Sequence, residues 1–375
     1  MLLPLPLEQS GKLCAPANRT EERIKRWLEV VGWQFNPFAK YGTWNEPLTQ
    51  AEDENADSSR WYSGKCPVIP SSWRSPADSK NLEDDDLDYF DDLSANTHAL
   101  VWGHMGAGKS ATKLILKAAT AGQGTVVTEY RGSLIVKSRP DQYVDRMIGL
   151  IMRAALPLMD EMNLPPAVLL ATHSDPIASL ITLVSGIAAF THRPVFILID
   201  NLDVSLDDQA DMVETAYQRI KPFLTPGLLD IPGLFLKIFL PEDAQCRIIG
   251  ALPDLKRRFD TDRLKSFSLS WTANALLEML HTRLNLVTST VSLDEISSNE
   301  EGMPFALEEA LVERALQQSG PPRALLRLVQ HMIAARVRHD RFETEYRLTL
   351  RDLDDACAEI GASVNYPTKQ GRNSG

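Results

Sequence analysis

The chain has 375 residues, 44% of them apolar and 24% charged, with a formal net charge of -11. Such a composition suits a folded protein of one large domain or two to three smaller ones, and it excludes collagen, coiled coil and wholesale disorder. The acidic balance argues against a general nucleic-acid coat, which rests on Lys and Arg neutralising phosphates.

Met1 to Leu7 is apolar but broken by Pro4 and Pro6 and has no basic flank, which makes it a poor signal peptide. A cytoplasmic location is expected. Cys14, Cys66, Cys246 and Cys357 lack CxxC or metal-ligand spacing, so reduced thiols are expected rather than disulfides or a zinc site. Ile24, Trp27, Leu28 and Val31 recur at helical spacing and predict a helix over Glu21 to Val31, ended by Asn36-Pro37-Phe38. From Ala51 to Leu100 there are twelve Asp and Glu against four Lys and Arg, so most of the excess charge sits there. Ser58 to Asp92, rich in Ser, Pro and Asp, reads as a solvated linker or a docking surface for a partner. Residues 1–95 are therefore expected to form an N-terminal helix plus an acidic, loop-rich segment.

The centre alternates short apolar runs with helical patterns, as in a parallel sheet covered by helices. Strands are predicted at His98 to Trp102, Thr125 to Tyr130, Val195 to Ile199, Leu234 to Leu240 and Leu264 to Leu269. Pro194 precedes the third and Pro241 ends the fourth. The longest apolar run, Ile177 to Phe190, is 14 residues and contains Ser and Thr, short of the ~20 that span a bilayer. No membrane span is expected. After Trp271 the strands cease, and helices are predicted over Ala273 to Leu286, Leu307 to Gln318, Pro322 to Val337 and Leu350 to Ile360. An α/β core over 96–271, a helical domain over 272–365 and a frayed tail over 366–375 follow.

Gly103-His104-Met105-Gly106-Ala107-Gly108-Lys109-Ser110 satisfies G-x-x-x-x-G-K-[ST] between a predicted strand and a helix over Ala111 to Ala119. This Walker A pattern marks a phosphate site. Its glycines let backbone N–H groups converge on phosphate oxygens, and the helix N-terminus adds partial positive charge. Lys109 is expected to reach the outer phosphates and Ser110 to ligate Mg2+. His104 and Met105 are loop variables, and Ala111 opens the helix.

Val195 to Asp200 is an apolar strand ending in an acid about 90 residues after the loop, a Walker B pattern in which Asp200 would hold Mg2+ through its water shell. The next residue is Asn201, which cannot serve as a base. Asp203 is the nearest carboxylate to activate or orient a water, with Asp207 and Asp208 further on; a helix cap is its other reading. Slow turnover is the corollary. Glu129, near the end of the second strand, is expected to be solvated there or to touch the site from the side.

Taken together, Asn36-Pro37-Phe38, Gly103 to Ser110, Ile199 to Asp203, Leu236 to Leu240, Leu269-Ser270-Trp271 and Gly320 to Leu328 make the chain resemble the AAA+ and STAND branches of the P-loop ATPases. More narrowly it looks like a bacterial group often associated with conflict and defence systems. The resemblance implies a three-layer parallel sheet of order 5-1-4-3-2 with a C-terminal helical lid. It also implies that Arg323, in Gly320-Pro321-Pro322-Arg323, is a sensor 2 arginine on the nucleotide; a guanidinium binds phosphate bidentately. Sensor 1 departs from the family pattern, because the fourth strand ends in Leu240-Pro241, so that Glu242 or no residue at all serves that role. Arg257, Arg258 and Arg263 stand where an arginine finger acts on a neighbouring subunit.

The leading expectation is an ATP- and Mg2+-binding ATPase acting as a switch or motor within an oligomer and signalling to a separate effector protein. ATP is preferred to GTP because no Asn-Lys-x-Asp signature occurs. A DNA-handling loader or transposition-type ATPase is the alternative, for which Arg314, Arg323, Arg327, Arg336, Arg338, Arg341, Arg347 and Arg351 concentrate basic charge in the lid. A third reading is a module that binds nucleotide without hydrolysing it.

Overall fold

The computed structural model describes residues 16–33, 38, 93–121, 124, 126–131, 142–170, 173–203, 211–251, 263–285, 292–299, 306–339 and 341–364. Cys14, Asn36, Pro37, Cys66, the acidic segment, Asp207, Asp208, Arg257, Arg258 and the tail lie outside them.

Five strands form one parallel sheet: β1 (His98–Gly103), β2 (Val126–Arg131), β3 (Val195–Asp200), β4 (Leu234–Pro241) and β5 (Leu264–Ser268). Their order is β2-β3-β4-β1-β5, which is 5-1-4-3-2 read from the other edge. β1 and β3 are buried at every position, as their unbroken apolar sequences require of strands covered on both faces. Alternate residues then serve opposite layers. Leu100, Trp102, Ile197, Ile199, Leu236 and Ile238 join one core, with Met147 of α3 (Gln142–Ala155) and Leu183 of α4 (Pro176–Thr191). Ala99, Val101, Leu198 and Phe239 join the other, with Leu116 of α2 (Lys109–Ala121). Helices on both faces of a parallel sheet, with a P-loop after its first strand, make this the three-layer P-loop NTPase fold.

The register fixes the site. Gly103 pairs with Pro241 and Arg131 with Asp200, so the residues that leave β1, β2, β3 and β4 emerge along one C-terminal edge. Parallel sheets place ligands there. The opposite edge is braced by Lys237, fully buried, whose ammonium donates to the Ala95 and Thr97 carbonyls at 2.7 Å each.

The chain divides into two compact units. The larger comprises Asp53–Met279 and Leu316–Arg323; besides the sheet it holds α5 (Met212–Ile220), α6 (Gln245–Ala251) and the start of α7 (Ala273–Leu284). The smaller comprises Met1–Glu52, Leu280–Ala315 and Ala324–Gly375. It is helical, built from α1 (Pro16–Val30), α8 (Leu307–Leu316), most of α9 (Pro321–Arg338) and α10 (Leu350–Val364). Helix α1 is tied to the rest of this unit by Trp27, whose indole N–H donates to the Tyr346 carbonyl at 2.8 Å, and by Arg23, which donates to the His339 carbonyl at 2.7 Å and lies over the Phe342 ring. Among the described residues no helix is long and apolar enough to cross a membrane.

Candidate nucleotide site

The loop from Gly103 to Gly108 turns β1 into α2 through two glycines in the left-handed region, Gly106 at φ 91° and Gly108 at φ 98°. Residues with a Cβ are strained there, so the motif's glycines follow from backbone geometry before any ligand is considered. The Thr112 N–H closes the first helical bond on the Gly108 carbonyl at 2.9 Å. The Ala107 N–H donates to the His104 carbonyl at 3.1 Å, and a helix start of this kind is where backbone N–H groups converge on an anion. The loop is clasped from β5: the Trp271 indole donates to the Ala107 carbonyl at 2.9 Å, and the Leu269 N–H donates to the Trp102 carbonyl at 2.8 Å.

Lys109 folds over this loop and donates to the Gly103 carbonyl at 2.5 Å and the His104 carbonyl at 3.1 Å. Burial lowers its ammonium from the ordinary lysine range and Arg323 adds to that, while Asp203, Asp200 and Glu242 pull upward, Asp203 most strongly. Lys109 therefore senses every predicted charged group of the site. Ser110 donates to Asp200 Oδ2 at 3.0 Å, which brings the hydroxyl and the carboxylate named for Mg2+ into direct contact. The donor set, a hydroxyl and a carboxylate, is of the oxygen type that hard cations of that kind take.

Asp200 is 1% exposed and has partners on both oxygens. Oδ1 accepts the Asn201 N–H at 2.9 Å, and Oδ2 accepts Ser110 together with the Lys113 ammonium at 3.0 Å. Asn201 adopts φ 58°, a left-handed turn that asparagine tolerates better than most residues. The turn is held from behind by buried Arg219 of α5, which donates to the Leu202 carbonyl at 3.0 Å.

Arg323 comes in over the loop. A methyl added to Gly106 would lie 2.9 Å from the Arg323 Cβ and 3.3 Å from its Cδ, and one added to Gly320 would overlap the Met105 carbonyl oxygen. Prolines at the first turn of α9 suit this approach, because their missing N–H groups have no helical acceptor in any case. His104 points outward, 3.9 Å from Asp243, and Met105 is exposed. Ala107 is buried beneath the loop and Ala111 lies in the first turn of α2. Arg263 sits apart, 4.0 Å from Asp230 at the start of β5 and therefore at the opposite edge of the sheet.

Sequence reasoning missed Lys113, one helical turn beyond Lys109 and 4% exposed. It also placed Glu129 in solvent or beside the site. The Glu129 side chain is only 11% exposed and pairs with Lys113 at 3.6 Å, Lys117 at 3.2 Å and Arg131 at 3.1 Å. Burial pushes its carboxyl up, but the three cations outweigh this and hold it at about 2. The helical signal available was the i, i+4 spacing of Lys109, Lys113 and Lys117 on α2 opposite a strand glutamate.

No protein-family model and no curated protein matches the chain. Among solved structures, it is similar to the Aeropyrum pernix ORC2 protein in its ADPNP–ADP complexes, at 14% identity over 73% of this chain and 63% of that one, with a TM-score of 0.39. The ADP form of the same protein gives 15% identity, 71% and 63% coverage and a TM-score of 0.39. Drosophila ORC bound to DNA gives 13%, 98%, 74% and 0.44. The chain thus spans 63% of the length of the first of these. Likenesses of this degree decide nothing about its chemistry, and the site stands on its own geometry.

Proposed function

We propose that the chain binds ATP with Mg2+ and works as a nucleotide-dependent switch or motor that regulates a separate effector protein. The observation that carries this reading is the 3.0 Å hydrogen bond from Ser110 to Asp200, beside a glycine loop that opens a helix. In it, Gly103 to Ala111 cradle the phosphates, Lys109 leaves its loop carbonyls for the outer phosphates, and Ser110 and Asp200 hold the cation. Asp203 is the water-orienting carboxylate, supported by its being the strongest negative charge on Lys109. Arg323 reads the γ-phosphate from its place over Gly106. The broader setting, a bacterial defence system and an assembly with itself, comes from the sequence resemblance.

The test is ATP turnover per subunit across a wide range of protein concentration, beside a direct binding measurement, with Lys109→Ala as control. Specific activity that climbs with concentration and vanishes in the variant fits an assembling ATPase. Absence of ATP binding by the unaltered chain defeats the proposal.

A second reading, a module that binds without hydrolysing, is favoured by one observation: Asn201 follows Asp200 in a left-handed turn and offers no base. Tight binding with flat, negligible turnover would select it. The DNA-handling alternative draws less support from the lid arginines than their number suggests. Arg336 is buried on Asp352, Arg338 pairs with Glu359, and Arg314 and Arg341 lie within 3.8 Å of Asp354 and Glu345.

A further inference from the structure

Lys113 has no place in the motif, yet its ammonium sits in the metal-holding pair. It contacts Asp200 Oδ2 at 3.0 Å, the same oxygen that Ser110 uses, and Glu129 Oε2 lies 3.6 Å away. The Lys113 side chain is 5% exposed and that of Asp200 2%, so water does little to screen the pair. Lys117 on Oε1 and Arg131 on the same Oε2 complete the neutralisation of Glu129.

A carboxylate that is to receive a cation's water shell cannot also keep a lysine and a serine on one oxygen. Ser110 must turn its lone pair toward the metal, and the ammonium must yield. Glu129 is the only second carboxylate that the described residues place within reach of it. The move is small, because the ammonium is already 3.6 Å from Glu129 Oε2.

Resting on the reading of this site as one for ATP and Mg2+, we infer that Lys113 is a resident counter-cation of the metal site, held on Asp200 in the absence of Mg2+ and passed to Glu129 when the ion arrives. Lys113 is then a positioning residue that acts through Asp200. It shields incoming phosphates from the carboxylate without metal, and it makes Mg2+ compete for its place. The chain is therefore built for nucleotide binding that depends weakly on Mg2+.

The experiment is calorimetric titration of the full chain with ATP in excess Mg2+ and again in excess EDTA, taking the ratio of the two dissociation constants. Lys113→Met should raise that ratio by about tenfold or more. Metal-free binding weakens beside a bare carboxylate, and Mg2+ no longer has a rival. Glu129→Gln should shift it the other way, because the ammonium loses its second seat. Lys113→Arg, which keeps the charge, should stay near the wild type. Opposite shifts in two variants of one ion cluster are not what loss of stability produces. Should Lys113→Met fail to fold, the fall in Glu129→Gln and the unchanged Lys113→Arg still decide the matter. Equal ratios in all variants, or a rise in Glu129→Gln, overturn the inference. A wild type that binds no ATP in either condition overturns the underlying reading of the site, and the inference with it.

Discussion

Gly106 and Arg323 meet so closely that the glycine's missing side chain is what lets the first turn of α9 reach the phosphate loop: a Cβ there would stand 2.9 Å from the arginine's own. With φ at 91°, the position is closed to other residues on two counts. Gly106→Ala is expected to cost about 1–2 kcal/mol in stability from the backbone alone, with ATP binding weakened as the loop and Arg323 move apart. Urea unfolding and a binding titration measure both; a variant as stable as wild type would show that the loop relaxes freely.

Glu129 gives the molecule an acid-sensitive point. Its folded carboxyl is held at about 2, below the 4.5 of a free glutamate. Stability from this group is therefore complete above pH 4.5 and drains away as pH falls toward 2. Glu129→Gln should lose on the order of 2–3 kcal/mol at neutral pH and show a flatter stability profile through that acid window. Denaturant midpoints at a series of pH values would reveal it.

Asn201 occupies a turn that a glutamate fits poorly. Asn201→Glu, which puts a carboxylate directly after Asp200, is expected to cost about 1 kcal/mol and to bring no gain in turnover, because the left-handed backbone aims the side chain differently. Asp203→Asn should leave ATP binding intact and lower turnover. A large rate increase in Asn201→Glu would count against Asp203.

Arg336 and Asp352 form the buried joint of the smaller unit. Asp352 is fully buried, and its Oδ2 accepts the Arg336 guanidinium at 2.5 and 3.0 Å, besides the Thr349 N–H and hydroxyl. Arg336→Ala leaves that charge stranded and should cost roughly 3–5 kcal/mol, seen as a lowered melting temperature. A small loss would mean that Asp352 finds water.

The parts of the fold that were legible in sequence share one property: their signal is local. The run Val195 to Asp200 announces a buried strand with a carboxylate at its end, and the spacing of Gly103 to Ser110 announces the loop. Strand ends fell within a residue or two, and the sheet order came from resemblance and not from periodicity. Lys113 was illegible because helical spacing gives a residue's face and not the depth of its charge. Lys237 hides inside an apolar strand for the same reason, satisfied by carbonyls more than 130 residues away. Trp27 reads as an ordinary helix anchor until its bond to Tyr346, 319 residues on, is known. Pairings of that range leave no mark on composition or period.

Because the Trp271 indole is tied to the Ala107 carbonyl, the chain carries its own optical gauge of the phosphate loop. Any ligand that re-aims the Ala107 peptide alters the hydrogen bond on which the indole's emission depends. A spectral shift on adding nucleotide that disappears in Trp271→Phe would report loop motion without a dye, and its time course would give the loop's rate of closure.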